Sequence, residues 1–252
     1  GGSRLQAGNR SIRADIEFGP RAEGWIGIPH GGIAMGTVVE LASRMDPGYS
    51  ISHPFTADFR MGGSRLRIGD RASVEVSSGE KGIEGRIVPE LGGAPYLSAL
   101  LSGDAADACA SALIPSYLPA RLTDFKDKLE PLPFYKNCFV CGAERKEPGL
   151  KRKFHLVAGP ERAVVSLAGF DPEDSGSFYL FQENGKLHPV GLLALIDETV
   201  GWAGFMISAS AGVTTRISYT FFREVGAGEK IAVFAMGDRV RRTSTRTMFW
   251  AS

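Results

Sequence analysis

Residues 187–206 constrain the fold more than any other part of this 252-residue chain. They read LHPVGLLALIDETVGWAGFM, and their apolar side chains leave little room for a solvated face, which is typical of a buried helix. Two acids, Asp197 and Glu198, interrupt the run. An unpaired buried carboxylate is costly, so the pair predicts either a partner or a chemical role. The plainer interpretation is an exposed strip of an amphipathic helix, or pairing with an arginine.

A second apolar run of helical length follows the sequence Pro-His-Gly-Gly at residues 29–32 and continues to about Arg44. Gly31 and Gly32 keep the backbone clear of side chains, and the first turn of a helix leaves its N–H groups without intrahelical partners. Such donors favour an anion or a polarised carbonyl. An ordinary tight turn is the alternative for the glycine pair.

Short apolar segments, separated by Gly, Pro and Ser clusters, follow both helices and predict antiparallel strands. The order of elements recurs in the two halves of the chain, which indicates an internal duplication. The predicted strands cover residues 12–18, 55–61, 71–76, 83–88 and 96–101, then 214–221, 231–235 and 243–250. The paired positions are His30 with His188, Val39 with Asp197, Glu40 with Glu198, and the turn Gly69-Asp70 with Gly228-Glu229.

The duplication predicts two α+β units, each a curved antiparallel sheet around a long central helix. The first unit covers residues 1–117 and the second covers residues 137–252. Residues 118–136 combine prolines with a charged middle, and we interpret them as the linker.

Composition excludes several classes of function. The net charge is +1, which gives no reason to expect nucleic acid or an anionic membrane surface as a partner. No run approaches the roughly 18 consecutive apolar residues of a membrane span, and no signal peptide is recognisable, so a cytoplasmic protein is expected. Cys138 and Cys141 form one CxxC without a second ligand pair, so we expect neither a disulfide framework nor a metal site.

Three motifs carry a resemblance to a known family. They are the His-Gly-Gly helix start at residues 30–32, the segment NCFVCG at residues 137–142, and Leu-Ile-Asp-Glu at residues 195–198. Together they resemble the hotdog-fold acyl-CoA thioesterases, particularly the branch related to phenylacetic-acid-degradation thioesterases. The resemblance covers nearly the whole chain as two hotdog units in tandem, and it is more specific in the second unit.

The resemblance implies a site between the two units, where the N-terminus of one helix faces an acid on the other. Backbone N–H groups there stabilise an oxyanion, while the carboxylate acts as general base or nucleophile. The family's acid falls nine residues after the histidine, which is Asp197 in the second unit and Val39 in the first. The resemblance therefore implies one active site per chain, formed by His30, Gly31, Gly32, Asp197 and the neighbouring acid Glu198.

The expected function is hydrolysis of an acyl-CoA thioester, with coenzyme A as part of the substrate and no separate cofactor. Two alternatives stay open: a non-catalytic acyl-CoA-binding protein, and an enoyl-CoA hydratase or dehydratase that uses His30 with Asp197 or Glu198. For His30 and His188 themselves, hydrogen bonding to backbone at a helix start is favoured over proton transfer. A homodimer of chains is also expected, because hotdog sheets often associate.

Overall fold

The computed structural model describes residues 11–45, 53–103, 129–157, 163–168 and 181–252. Two helices, α1 (Gly31–Ser43) and α2 (Pro189–Ser208), pack against each other, and all the described sheets are antiparallel. The predicted mixed α+β class is confirmed. The predicted domain boundary at residue 117 lies outside the described residues.

The larger sheet has six strands and packs against α1. Its strands alternate between buried and more exposed residues, as expected for a sheet with one face on a core. Met35 and Val38 of α1 are fully buried against it. In the order β1-β3-β4-β5-β2-β11, its strands are β1 (Ser11–Glu17), β3 (Arg71–Gly79), β4 (Gly82–Pro89), β5 (Leu97–Ser102), β2 (Phe55–Met61) and β11 (Arg216–Phe221).

A second group of strands packs against α2 and forms its own buried core, which includes Leu195 and Ala203. It comprises a four-stranded sheet in the order β12-β8-β7-β6 and two two-stranded pairs, β13-β14 and β9-β10. These strands are β6 (Leu129–Pro131), β7 (His155–Val157), β8 (Val164–Ala168), β9 (Gln182–Glu183), β10 (Lys186–Leu187), β12 (Ile231–Ala235), β13 (Gly237–Arg242) and β14 (Thr247–Ala251).

Two of the contacts that join the halves of the chain concern the larger sheet and the helices. Strand β2, which follows α1, pairs with β11, which follows α2, and the rings of Phe55 and Phe221 stack there at 4.7 Å. The helices cross closely because glycines of α1 meet α2: a Cβ on Gly32 would lie 2.5 Å from Ala194 N. This close contact between the helices therefore fixes the position of the N-terminus of α1 relative to the middle of α2.

The strand predictions hold for most of the chain, with one clear error. Residues 231–235 and 55–61 form strands with the predicted bounds. The predicted strand at 243–250 is wrong at its start, because Thr243 N–H donates to Arg246 O in a turn between β13 and β14. Strand β13 has the sequence GDRVRR, and its charged residues gave no apolar alternation to find.

Two further predictions concern the turns and the linker. Gly69 and Gly228, which the predicted duplication pairs, both have positive φ, +94° and +92°, a backbone conformation that favours glycine. Part of the predicted linker at 118–136 is instead structured, because residues 129–131 form strand β6 and pair with β7. Residues 118–128 lie outside the described part of the chain.

Helix α2 is the one helix among the described residues that is long and apolar enough to cross a membrane, by length and composition only, with a mean hydropathy of 1.5. The sequence contains no unbroken apolar run of that length, because Asp197 and Glu198 interrupt it. In the structure the helix packs on α1, β8, β12, β13 and β14. The core helix of a globular domain passes the same test.

Candidate active site

The five predicted site residues meet where the N-terminus of α1 approaches the middle of α2. His30 is 4% exposed and Asp197 is 8% exposed. His30 is the N-cap of α1, with extended backbone, and its Nδ1 accepts a hydrogen bond from Gly32 N–H at 3.0 Å. The contact satisfies one of the donors that a helix start leaves open. The favoured backbone role for His30 is thus present in the structure.

Asp197 points at the start of α1. Its Oδ1 accepts a hydrogen bond from Thr214 Oγ1 at 2.7 Å, and its Oδ2 lies 3.7 Å from His30 Nδ1. A Cβ on Gly31 would come within 2.8 Å of that Oδ2, so the carboxylate sits directly over the glycine. Burial raises the pKa of Asp197, although the nearby His30 and the hydrogen bond from Thr214 partly offset this effect.

The backbone N–H of Gly31 is available at this point. Gly32 N–H is taken by His30, while Ile33 and Ala34 N–H both bond to His30 O. Among the described residues, Gly31 N–H has no acceptor. A helix N-terminus carries a partial positive charge, so this donor favours an oxygen that bears negative charge.

Glu198, the next residue, has a different environment. Its Oε2 lies 3.2 Å from His30 Nε2, and it is 17% exposed at the side chain. Burial opposes ionisation, but the hydrogen bond with His30 outweighs it and lowers the pKa of Glu198. The two adjacent acids are therefore shifted in opposite directions, which is how paired carboxyl groups acquire distinct roles.

Both ring nitrogens of His30 are engaged. Burial lowers the pKa of His30, yet hydrogen bonds with Cys138 and Glu198 raise it well above its ordinary value. Nδ1 faces Gly32 N–H, and Nε2 faces Glu198. In either protonation state Nε2 carries the hydrogen that Glu198 accepts, so His30 offers no lone pair at that atom for abstracting a proton.

The equivalent place on the other side of the helix pair has the same outline and lacks two groups. His188 caps α2, and its Nε2 lies 2.8 Å from Glu40 Oε2. The first residue of α2 is Pro189, which has no N–H. Val39, buried with 4% exposure, occupies the position that the predicted duplication pairs with Asp197. This side therefore lacks both groups found beside His30, an N–H on the first helix residue and a carboxylate that faces it.

Sequence reasoning missed two features of the site. Thr214 was assigned only to a strand, and no local motif connects it to an acid 17 residues earlier. Cys138 and Cys141, for which neither a disulfide nor a metal was expected, are buried with free thiols, and Cys138 Sγ lies 3.9 Å from Glu198 Oε1. Hydrogen bonding with Cys141 lowers the pKa of Cys138 to about 6, against the effect of burial.

No protein-family model and no curated protein matches the chain. Solved structures do match. The dehydratase domain of the polyketide synthase PpsC from Mycobacterium tuberculosis aligns with a TM-score of 0.54 at 12% identity, over 95% of this chain and 84% of that chain. The same domain in complex with C12:1-CoA gives 0.52 at 10% identity, over 96% and 86%.

The inactive histidine-to-phenylalanine mutant of the CurJ dehydratase, in complex with Compound 21, gives a TM-score of 0.55 at 14% identity, over 99% of this chain and 90% of that chain. At such identities the likeness concerns the fold alone. These neighbours are polyketide synthase dehydratase domains, which have a hotdog fold. Their likeness supports the predicted hotdog fold for this chain; the thioesterase branch and the tandem arrangement stay predictions.

Proposed function

We propose that the protein hydrolyses acyl thioesters at a single site where α1 begins, with Asp197 as the general base. One observation carries the proposal: a buried carboxylate of α2 lies over the first glycine of α1, whose N–H has no acceptor among the described residues. Thioester hydrolysis needs a base for water and a donor for the oxyanion within a few ångströms of each other.

The reaction follows from this arrangement. The thioester carbonyl oxygen accepts a hydrogen bond from Gly31 N–H, and Asp197 removes a proton from the attacking water. The negative charge that forms on the carbonyl oxygen is stabilised by the helix start. Collapse of the tetrahedral intermediate breaks the carbon–sulfur bond, and the thiolate recovers the proton from Asp197. The products are a carboxylate and a free thiol.

Asp197 is assigned as the base because Glu198 already has a hydrogen-bond partner. The hydrogen bond with His30 holds Glu198, whereas Asp197 has one oxygen bonded to Thr214 and the other directed at Gly31. His30 acts as the helix cap in this mechanism. The proposed pairing of two hotdog units within one chain rests on the repeated order of elements and on the matching His–Glu contacts across the helices.

Acyl-CoA is the proposed substrate class. One neighbour with a similar fold is described in complex with C12:1-CoA, which supports coenzyme A as the thiol carrier. A single chain supplies both the donor and the base, so hydrolysis requires no second chain.

Dehydration of a 3-hydroxyacyl thioester is the second candidate, and the structural neighbours favour it over hydrolysis. They are dehydratase domains, and one of them is described as inactive after a histidine is replaced. In this reaction His30 takes a proton from C2 while Asp197 donates one to the leaving hydroxyl. The contacts of His30 with Gly32 N–H and Glu198 oppose it, because neither ring nitrogen is free to accept a proton from substrate.

One experiment separates the two candidates. The wild-type chain is incubated with 3-hydroxyacyl-CoA and saturated acyl-CoA of matched lengths, while thiol release and the absorbance of the conjugated enoyl thioester are followed in parallel. Hydrolysis predicts thiol release from both substrates without enoyl formation. Enoyl formation before any thiol appears would transfer the assignment to dehydration, and binding without either product would favour a non-catalytic protein.

Thr214 provides a prediction about how Asp197 is held. We expect Thr214→Val to lower the hydrolysis rate about tenfold or more, because a misplaced catalytic group is costly in rate. Thr214→Ser keeps the hydroxyl that donates to Asp197 Oδ1 and should restore most of the rate. The measurement is kcat and KM for both variants. Equal losses in the two variants would show that the methyl group matters and the hydrogen bond does not.

A further inference from the structure

Three side chains that can bind a metal converge on the side of His30 that faces Glu198. His30 Nε2, Cys138 Sγ and a Glu198 carboxylate oxygen all lie within 4.8 Å of one another. The nitrogen is 3.2 Å from Glu198 Oε2, and the sulfur is 3.9 Å from Glu198 Oε1. Bonds of about 2.0–2.3 Å to tetrahedral zinc separate neighbouring ligands by roughly 3.3–3.8 Å. The observed separations are close to those values.

Cys141 supplies the fourth group. Its N–H donates to Cys138 Sγ at 3.5 Å, and its thiol lies close enough to lower the pKa of Cys138 and of Glu198, so its sulfur borders the same space. Both thiols are buried and not joined in a disulfide. Sulfur, imidazole nitrogen and carboxylate oxygen are all ligand types that bind zinc in proteins.

The turn that carries the cysteines directs backbone N–H donors at both sulfur atoms. Val140 N–H and Cys141 N–H donate to Cys138 Sγ at 3.3 and 3.5 Å, and Tyr135 N–H donates to Cys141 Sγ at 3.4 Å. Backbone donors aimed at a sulfur favour its negative charge, which is the form that binds metal. The backbone closes tightly here, because a Cβ on Gly142 would lie 2.7 Å from Lys136 O.

We propose that Cys138, Cys141, His30 and Glu198 form a structural zinc site that fastens the cysteine turn to the start of α1 and to α2. A closed set of four protein ligands leaves no open position, so the metal stabilises the fold and takes no part in the chemistry. Coordination through Nε2 replaces the hydrogen that Glu198 accepts in the metal-free site and moves the imidazole proton to Nδ1, which then donates toward Asp197 Oδ2, 3.7 Å away, in place of accepting from Gly32 N–H.

The proposal reverses the expectation of no metal. The CxxC lacks a second pair of ligands in the sequence, and the fold supplies one from residues far apart along the chain. It stands independently of the proposed hydrolysis, because neither Asp197 nor Gly31 is a ligand.

The opposite helix start provides a matched control. His188 and Glu40 make the same kind of contact, but Glu40 is also bonded to Arg44, with Arg44 Nε 2.7 Å from Glu40 Oε1. A cation beside that pair disfavours a second positive ion. Glu40→Gln therefore removes the equivalent carboxylate at a place where no metal is expected.

The first test measures the metal content of the full chain, purified without chelator, by elemental mass spectrometry. In the second test the metal is replaced with cobalt and the absorption spectrum is recorded. We expect one zinc per wild-type chain and a cobalt spectrum with thiolate-to-metal charge transfer. Cys138→Ser, Cys141→Ser and Glu198→Gln should each weaken zinc binding at least about tenfold, whereas Glu40→Gln should bind like the wild type.

Variants that fail to fold would not block the test, because the wild type alone provides a second readout. Chelation should lower its melting temperature, and adding zinc alone should restore it. Wild-type chain that gains no stability from zinc and gives no thiolate–cobalt spectrum would overturn the proposal. A Cys138–Cys141 disulfide in the protein as purified under reducing conditions, or unchanged zinc in the folded cysteine variants, would overturn it as well.

Discussion

Asp197→Asn is expected to reduce thioester hydrolysis by about 10²–10⁴-fold, the usual cost of losing a general base. The amide has nearly the shape of the carboxylate and its oxygen can still accept the hydrogen bond from Thr214. It cannot take a proton from water. The loss should appear in kcat for thiol release, with little change in KM, because the group acts on the attacking water more than on the bound substrate.

The fold should survive this substitution. Asp197 is buried and its pKa is raised by that burial, so the charged form is disfavoured in the folded protein and a neutral side chain removes the penalty. We therefore expect an unfolding midpoint equal to that of the wild type or above it.

Glu40→Gln serves as the control for Asp197→Asn, since Glu40 is an acid beside the opposite helix start, in contact with His188. It should leave hydrolysis unchanged. Full activity in Asp197→Asn would contradict the assignment. Loss in Glu198→Gln with zinc still bound would then move the base to Glu198.

The position of this site could be predicted because its parts lie in two regular helices. A histidine before two glycines marks the start of α1. The acid Asp197, nine residues after the second histidine, lies within α2. Helical periodicity and the first-turn donors follow from local sequence. The predicted duplication then indicated which helix start should face which acid, and the contact between His30 and Glu198 agrees with that pairing.

What the sequence did not reveal depends on contacts made after folding. Thr214 meets Asp197 only because the segment after α2 turns back toward the helix. Cys138 meets His30 and Glu198 only because the turn at 138–141 docks on the first half, where Phe139 N–H donates to Glu23 O at 2.7 Å. Scanning for a second CxxC along the chain could not find ligands that come from two helices.

Strand β13 was missed for a different reason. Most of its side chains are exposed, and its sequence GDRVRR contains a single apolar side chain, that of Val240. Its pairing with β14 is set by backbone hydrogen bonds and the turn between them, and neither depends on apolar alternation.

Among substitutions that add one methyl group to α1, Gly32→Ala is expected to cause the largest loss of stability. A Cβ at this position would overlap Ala194 of α2, lying 2.5 Å from its N and 2.7 Å from its Cβ. The obstacle is the backbone of the other helix, so no side chain can rotate away, and the helices must separate. Overpacking of a core typically costs about 1–3 kcal/mol, and we expect at least about 3 kcal/mol here.

At roughly 2–4 °C per kcal/mol for a domain of this size, the melting temperature should fall by about 6–12 °C. Gly201→Ala is the matched control, because it adds the same methyl group in the middle of α2 where nothing lies within 4 Å. There the change should stabilise the protein by about 0.5–1 kcal/mol, since glycine is a poor helix residue. If both variants melted alike, the close helix crossing would not be what holds the start of α1 against Asp197, and the site geometry would need another support.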